Sequence, residues 1–194
     1  MISDKIFYIV PIDSPDKDII WHVAKVMRRF SLIVHILPNL ETKDIFEGCL
    51  VDINNDDILE IVSRVVSAKR PITLARNSFA IGIIDESKLK KISMRKYFGC
   101  AWNTSSTAIL VNWYGCNQVC TTFLHELGHL VGISGHCNNG KCIMSQKSYR
   151  NSFCEDCQDK FDRGLREERS RSLSLIPIID SLNARFLKFL LPKV

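Results

Sequence analysis

The stretch His125-Glu126-Leu127-Gly128-His129-Leu130-Val131-Gly132 constrains this chain more than any other. Two histidines four apart lie on one face of an α-helix, one turn above each other, so both imidazoles can grip one metal ion. The glutamate beside the first histidine is then close enough to take a proton from a metal-bound water. The neighbours support this. On a helix over residues 117–131, at ~100° per residue, Val119, Cys120, Phe123, Leu124, Leu127, Leu130 and Val131 fall within an arc of roughly 140°. His125 and His129 fall on the opposite side. Core histidines would share the apolar face, so these two look at solvent or a cleft. Surface histidines placed by accident would leave Glu126 and the residues that follow without explanation.

Gly132 is where the helix should end, because glycine accepts the left-handed conformation at the C′ position. The chain can then turn back and offer His136 as a third ligand. Three neutral histidines leave a bound zinc its +2 charge and an open fourth position, the catalytic arrangement. Behind His136 come Cys137, Cys142, Cys154 and Cys157. Cys-x4-Cys followed by Cys-x-x-Cys suits tetrahedral thiolate ligation with no open position, hence a structural zinc. Thiolates occupied in this way have no role as reactive nucleophiles. Because Cys137 adjoins His136, the second site would fix the loop that carries the third ligand.

His-Glu-x-x-His, the glycine three residues on, the His-Cys pair, Cys-x4-Cys-x-Met and the later Cys-x-x-Cys together resemble the archaemetzincins. These are zinc metallopeptidases of the metzincin clan, named for a Met-turn beneath the metal. The resemblance implies that His125, His129 and His136 bind a catalytic zinc and that Glu126 is the general base. It implies that Cys137, Cys142, Cys154 and Cys157 bind a structural zinc, and that Met144 is the Met-turn residue. The motifs cover residues 121–157, about a fifth of the chain. Two features depart from the family pattern. Ile133, Ser134 and Gly135 separate Gly132 from His136, where the family has two residues, and the gap from Met144 to Cys154 is shorter. Gly135 tolerates backbone angles that other residues do not, so it can absorb the extra residue. The shorter gap affects only a connecting loop.

The 194 residues suffice for one domain with a core, here read as residues 1–132 and a small C-terminal subdomain 133–194. Hydrophobic residues make up 46% and charged ones 24%, an ordinary globular composition. A formal net charge of +5 is too mild to imply a polyanionic partner. Nucleic acid is further disfavoured because no basic and aromatic interleaving accompanies the cysteines. No secretory signal and no window of ~18 apolar residues is visible, so neither export nor a membrane span is expected. Eight cysteines in a chain read as cytoplasmic point to metal ligands and buried thiols, not to disulfides.

Hydrophobic patterning predicts strands at residues 5–12, 32–37, 72–75, 79–84, 98–101 and 108–111. The first helix should open with Ser14 as N-cap and Pro15 in its first turn, with Ile19, Ile20, Val23, Val26, Met27 and Phe30 as its stripe. A second helix should start at Asn55, its early acids suiting the helix dipole, with Ile58, Leu59, Val62, Val65 and Val66 as its stripe. Residues 39–52 show no clear period. The alternation predicts an α/β fold, a mixed, mostly parallel sheet flanked by helices. Residues 108–111 could be the cleft-side edge strand that pairs with substrate in metzincins, or an ordinary interior strand. His22 and His35 read as core histidines. Cys49, Cys100, Cys116 and Cys120 read as small buried hydrophobes. Lys88, Lys90, Lys91, Arg95 and Lys96 read as a solvated loop, as do Arg163, Arg166, Arg169 and Arg171. The tail from Pro177 reads as a docking helix.

The sequence thus predicts a monomeric zinc metallopeptidase with two zinc ions and a peptide or protein substrate. The competing reading is a non-catalytic zinc-binding protein that uses the same scaffold for recognition, and the altered spacing before His136 favours it.

Overall fold

The computed structural model describes residues 5–43, 55–69, 78–89, 98–102, 106–146 and 152–166. The strand expected at 72–75, Cys49, most of the first basic run, Arg169, Arg171 and the tail helix lie outside them, as do the side chains of Ile58 and Leu59.

Five strands form one sheet in the order β2-β1-β3-β5-β4. They are β1 (Ile6–Ile12), β2 (Ile33–Ile36), β3 (Ser78–Asp85), β4 (Gly99–Trp102) and β5 (Thr107–Asn112). Strands β2, β1, β3 and β5 run parallel, and β4 pairs antiparallel with β5. The sheet is therefore mixed and mostly parallel, as the alternation of elements requires.

Parallel strands are buried on both faces, so β1 and β3 are nearly continuous apolar runs. Alternate residues still go to opposite sides. Phe7, Ile9, Phe79, Ile81, Ile83, Ala108 and Leu110 meet the helices α1 (Lys17–Arg29) and α4 (Cys116–Leu130). Val10, Ile12, Ala80, Ile84, Ile109 and Val111 meet α2 (Asn55–Ala68) through Val62 and Val66. Phe7 stacks on Phe79 with ring centroids 4.8 Å apart. A short helix, α3 (Glu86–Leu89), follows β3, and α5 (Glu155–Arg166) carries the last of the metal-ligand candidates, Cys157.

Several local expectations are corrected. Helix α1 is capped by Asp16, whose carboxylate accepts from the Asp18 amide at 2.9 Å, and not by Ser14. Asp13 and Ser14 both sit in the left-handed region (φ 55° and 56°), forming a turn that grips the segment after β2. The Asp13 carboxylate accepts from the amide and hydroxyl of Thr42, and the Ser14 amide donates to Asn39. Strand β5 is interior, between β3 and β4, so residues 108–111 are not an edge strand; among the described residues that edge of the sheet is β4. The physical reason is the antiparallel pairing of β4 with β5, in register from Gly99 opposite Leu110 to Trp102 opposite Thr107, on the side of β5 away from β3.

His22 and His35 are exposed, not core residues. His22 Nδ1 donates to the Asp18 carbonyl one helical turn earlier, and His35 stacks on Tyr8 from β2 at the sheet edge. Cys100, Cys116 and Cys120 are half-buried. Lys88 belongs to α3, and Arg163 and Arg166 are exposed on α5 instead of on a loop.

Candidate metal centres

Helix α4 buries Val119, Phe123, Leu127 and Leu130 against the sheet and α1, which turns His125 and His129 away from the core. Val131 caps the helix, and Gly132 follows with φ 111°. The carbonyls of Leu127, Gly128 and His129 accept the amides of Val131, Ile133 and Gly132, so the last turn closes as the chain reverses. Gly135, at φ 73°, makes the second turn and returns His136 toward the helix. The extra residue before His136 is thus accommodated at a glycine.

The three rings form a nearly regular triangle. Centroids are 4.9 Å apart for His125 and His129, and His136 is 5.2 Å from each. One ring nitrogen from each lies within 4.8 Å of the others. His125 Nδ1 meets the Ile143 carbonyl at 2.7 Å, and His129 Nδ1 meets the Ile133 carbonyl at 2.9 Å. A carbonyl only accepts, so each Nδ1 carries the proton and each neutral ring presents a bare Nε2. Burial lowers the pKa of both rings and favours that neutral form.

The two Nε2 atoms are 3.2 Å apart. Two nitrogens bound at ~2.0–2.1 Å in a tetrahedral zinc site are about 3.3 Å apart, so the donor set fits zinc.

Glu126 is buried, at 7% exposure, which the sequence did not anticipate for a helical glutamate. Burial pushes its carboxyl up to about 8. It lies beside β4, where Gly99 has no side chain. A Cβ there would fall 2.6 Å from Thr122 Cγ2 and 3.1 Å from Glu126 Oε1. Gly99 was not singled out from the sequence. Its signal is visible only once β4 is known to lie against the face of α4 that carries Thr122 and Glu126, one turn apart.

The four cysteines Cys137, Cys142, Cys154 and Cys157 also converge, with their sulfurs within 4.8 Å of one another. All four are free thiols. Cys137 and Cys154 sulfurs are 3.7 Å apart, against about 3.8 Å for two sulfurs bound at ~2.3 Å in a tetrahedron. This set also fits a metal ion. The amides of Asn139 and Cys154 donate to the sulfurs of Cys137 and Cys142, which favours negative charge on sulfur. Hydrogen bonding from the Cys157 amide likewise lowers the Cys154 pKa, whereas burial raises those of Cys142 and Cys157.

Met144 is fully buried beneath α4. A Cβ at Gly128 would come within 2.4 Å of its sulfur, so Gly128 and Met144 fit only as a pair. Helix α5, absent from the sequence reading, packs Phe161 between Phe30 and Phe153. Its signals were present: Glu155 and Asp156 in the first turn and Arg163 and Arg166 in the last, matching the helix dipole.

Fold and site together define a mixed α/β protein with a histidine-bearing helix under its antiparallel edge strand and a four-thiol cluster behind it. No family model and no curated protein matches the chain. Among solved structures, it is similar to archaemetzincin from Archaeoglobus fulgidus, determined with malonate. The identity is 20% and the TM-score 0.51, over 80% of this chain and 99% of the other. A zinc-dependent peptidase from Methanocorpusculum labreanum (strain Z) matches over the same shares at 15% identity and TM-score 0.46. The chain has the archaemetzincin fold.

Proposed function

We propose that this chain is a zinc-dependent peptidase that hydrolyses peptide bonds in a peptide or protein substrate. The observation that carries the reading is the convergence of His125, His129 and His136 next to the buried Glu126. These histidines would hold a catalytic zinc, and Cys137, Cys142, Cys154 and Cys157 a structural one. The zinc, when bound, supplies a Lewis acid that acidifies water and polarises the peptide carbonyl. The Ile143 and Ile133 carbonyls keep the His125 and His129 rings in the tautomer and orientation that ligation needs.

Glu126 accepts a proton from the attacking water and returns it to the leaving amine. Burial raises its pKa and a nearby dication lowers it. A carboxyl pushed up by burial and pulled down by a cation can act as base and then as acid. The archaemetzincin resemblance supports β4 as the strand that pairs with an extended substrate. Among the described residues it has a sheet neighbour on one side only, and its Gly99 faces Glu126.

The non-catalytic alternative drew its support from the extra residue before His136. Against it stands the placement of His136, whose ring lies 5.2 Å from each of the other two after the Gly135 turn. The test is a peptide library digested by purified protein of known zinc content, with Glu126→Gln as control. Cleavage that needs Glu126 is expected. Two zinc ions per chain with no cleavage of any peptide would return the chain to the recognition reading.

A further inference from the structure

We propose that the cysteine cluster positions all three histidines, so that metal held by the four thiolates raises the affinity of the histidine site for its own metal. The proposal rests on the zinc reading above and extends it to an energetic coupling between the two sites.

Three routes connect them. The first is covalent, since His136 and Cys137 are adjacent and the Cys137 amide is fixed to the Met144 carbonyl at 2.9 Å. The second runs to His125, which lies far from the cysteines in sequence. Its Nδ1 donates to the carbonyl of Ile143, the residue after Cys142. Ile143 is held in turn by its amide N–H, which donates to the Ser152 carbonyl at 2.8 Å. The Cys154 amide, two residues on, donates to Cys142 sulfur at 3.3 Å. The third route runs to His129. Helix α5 starts at the second cysteine pair and carries Cys157. Its Gly164 lies so close to α4 that a Cβ would meet the Val131 carbonyl oxygen at 2.0 Å. Two residues beyond Val131, the Ile133 carbonyl accepts His129 Nδ1.

Each histidine therefore takes its orientation from backbone that the cysteine cluster ties down. Segments 137–144 and 152–157 are joined by the Ile143–Ser152 and Cys154–Cys142 hydrogen bonds and share one apolar core. A metal held by the four thiolates would add a further cross-link between them and hold the backbone around the histidines more firmly. Such a coupling is reciprocal by thermodynamic necessity.

The test uses cobalt(II) exchanged into the purified holoprotein. Sulfur-to-cobalt charge transfer marks the thiolate site and is absent from a histidine site, so the two are read separately while a chelator competes. His136→Ala removes an exposed side chain and should leave the fold intact. It should weaken the thiolate site by ~10–100-fold, the range typical for loss of a supporting shell. Cys154→Ser should weaken the histidine site by the same factor. An unchanged thiolate affinity in His136→Ala overturns the coupling, even if Cys154→Ser loses the histidine metal, because a merely structural cluster gives that one-sided result. If Cys154→Ser does not fold, the His136→Ala arm decides alone. A wild-type protein that binds no cobalt at its histidines sinks the zinc reading itself. Both sites filled but independent sinks only the coupling.

Discussion

The histidine site and the cysteine cluster meet at residues 136 and 137, yet they are built on opposite plans. The histidine site takes two of its three donors from one helix, where the 3.6-residue period sets their spacing, and its third donor is exposed. The cysteine cluster takes its donors from two loops and the first turn of α5, and two of its four sulfurs belong to buried residues. Three donors on a rigid helix and a glycine turn leave room for a reacting group. Four donors drawn from separate segments leave none, but a metal held by them would cross-link those segments. An open site tolerates imperfect closure, and a closed one contributes to folding.

That contrast can be broken most severely at the cysteines. Cys157→Ser should lower zinc content by one per chain and abolish or strongly lower the cooperative melting transition, since metal binding and folding are linked at closed sites. A variant with the wild-type zinc content and melting temperature removes Cys157 from the ligand set. At the open site the expected change is in rate. Glu126→Gln should keep both zinc ions and lose ~10²–10⁴-fold in kcat, the range for general acid-base help. If this variant loses a zinc ion, Glu126 is a ligand and the proposed mechanism fails.

The connection between the two plans gives a smaller effect. Gly164→Ala places a methyl group against the Val131 carbonyl and should cost ~1–3 kcal/mol by denaturant unfolding, with α5 pushed from α4. Unaltered stability would mean that the helices do not pack this closely. The smallest change is expected at Gly135→Ala, where φ is 73° and nothing crowds the added methyl. It should cost ~1–2 kcal/mol through backbone strain alone. Because the strain falls on the turn that returns His136, metal affinity at the histidines should drop with it, and thiolate affinity should fall by a smaller factor than in His136→Ala. Stability and both metals equal to wild type would remove the turn from the account.

Local physics made much of this protein legible. Helical period and the apolar arc of α4 fixed the face on which His125 and His129 stand, because a helix repeats within a few residues. Glycines at 132 and 135 marked the two turns, because positive φ excludes most side chains. Cysteine spacing marked a tetrathiolate set, because few other arrangements suit such close pairs. Strand and helix alternation gave a mixed, mostly parallel sheet.

Other features needed neighbours distant in the chain. The edge position of β4, and hence the interior place of β5, follows from strand order, which hydrophobicity does not encode for strands buried on both faces. Burial of Glu126 depends on β4 lying against α4 with a glycine at the contact. The partners of His125 and His129 are backbone carbonyls, which every residue has, so no side-chain pattern could announce them. Ser14 lost its capping role to Asp16 because Asp13 and Ser14 are held in a turn by Thr42 and Asn39, more than twenty residues away. Sequence determined which residues this protein brings to its two sites. The tertiary structure alone decided what stands around them, because packing and main-chain hydrogen bonding join residues whose separation along the chain carries no signal.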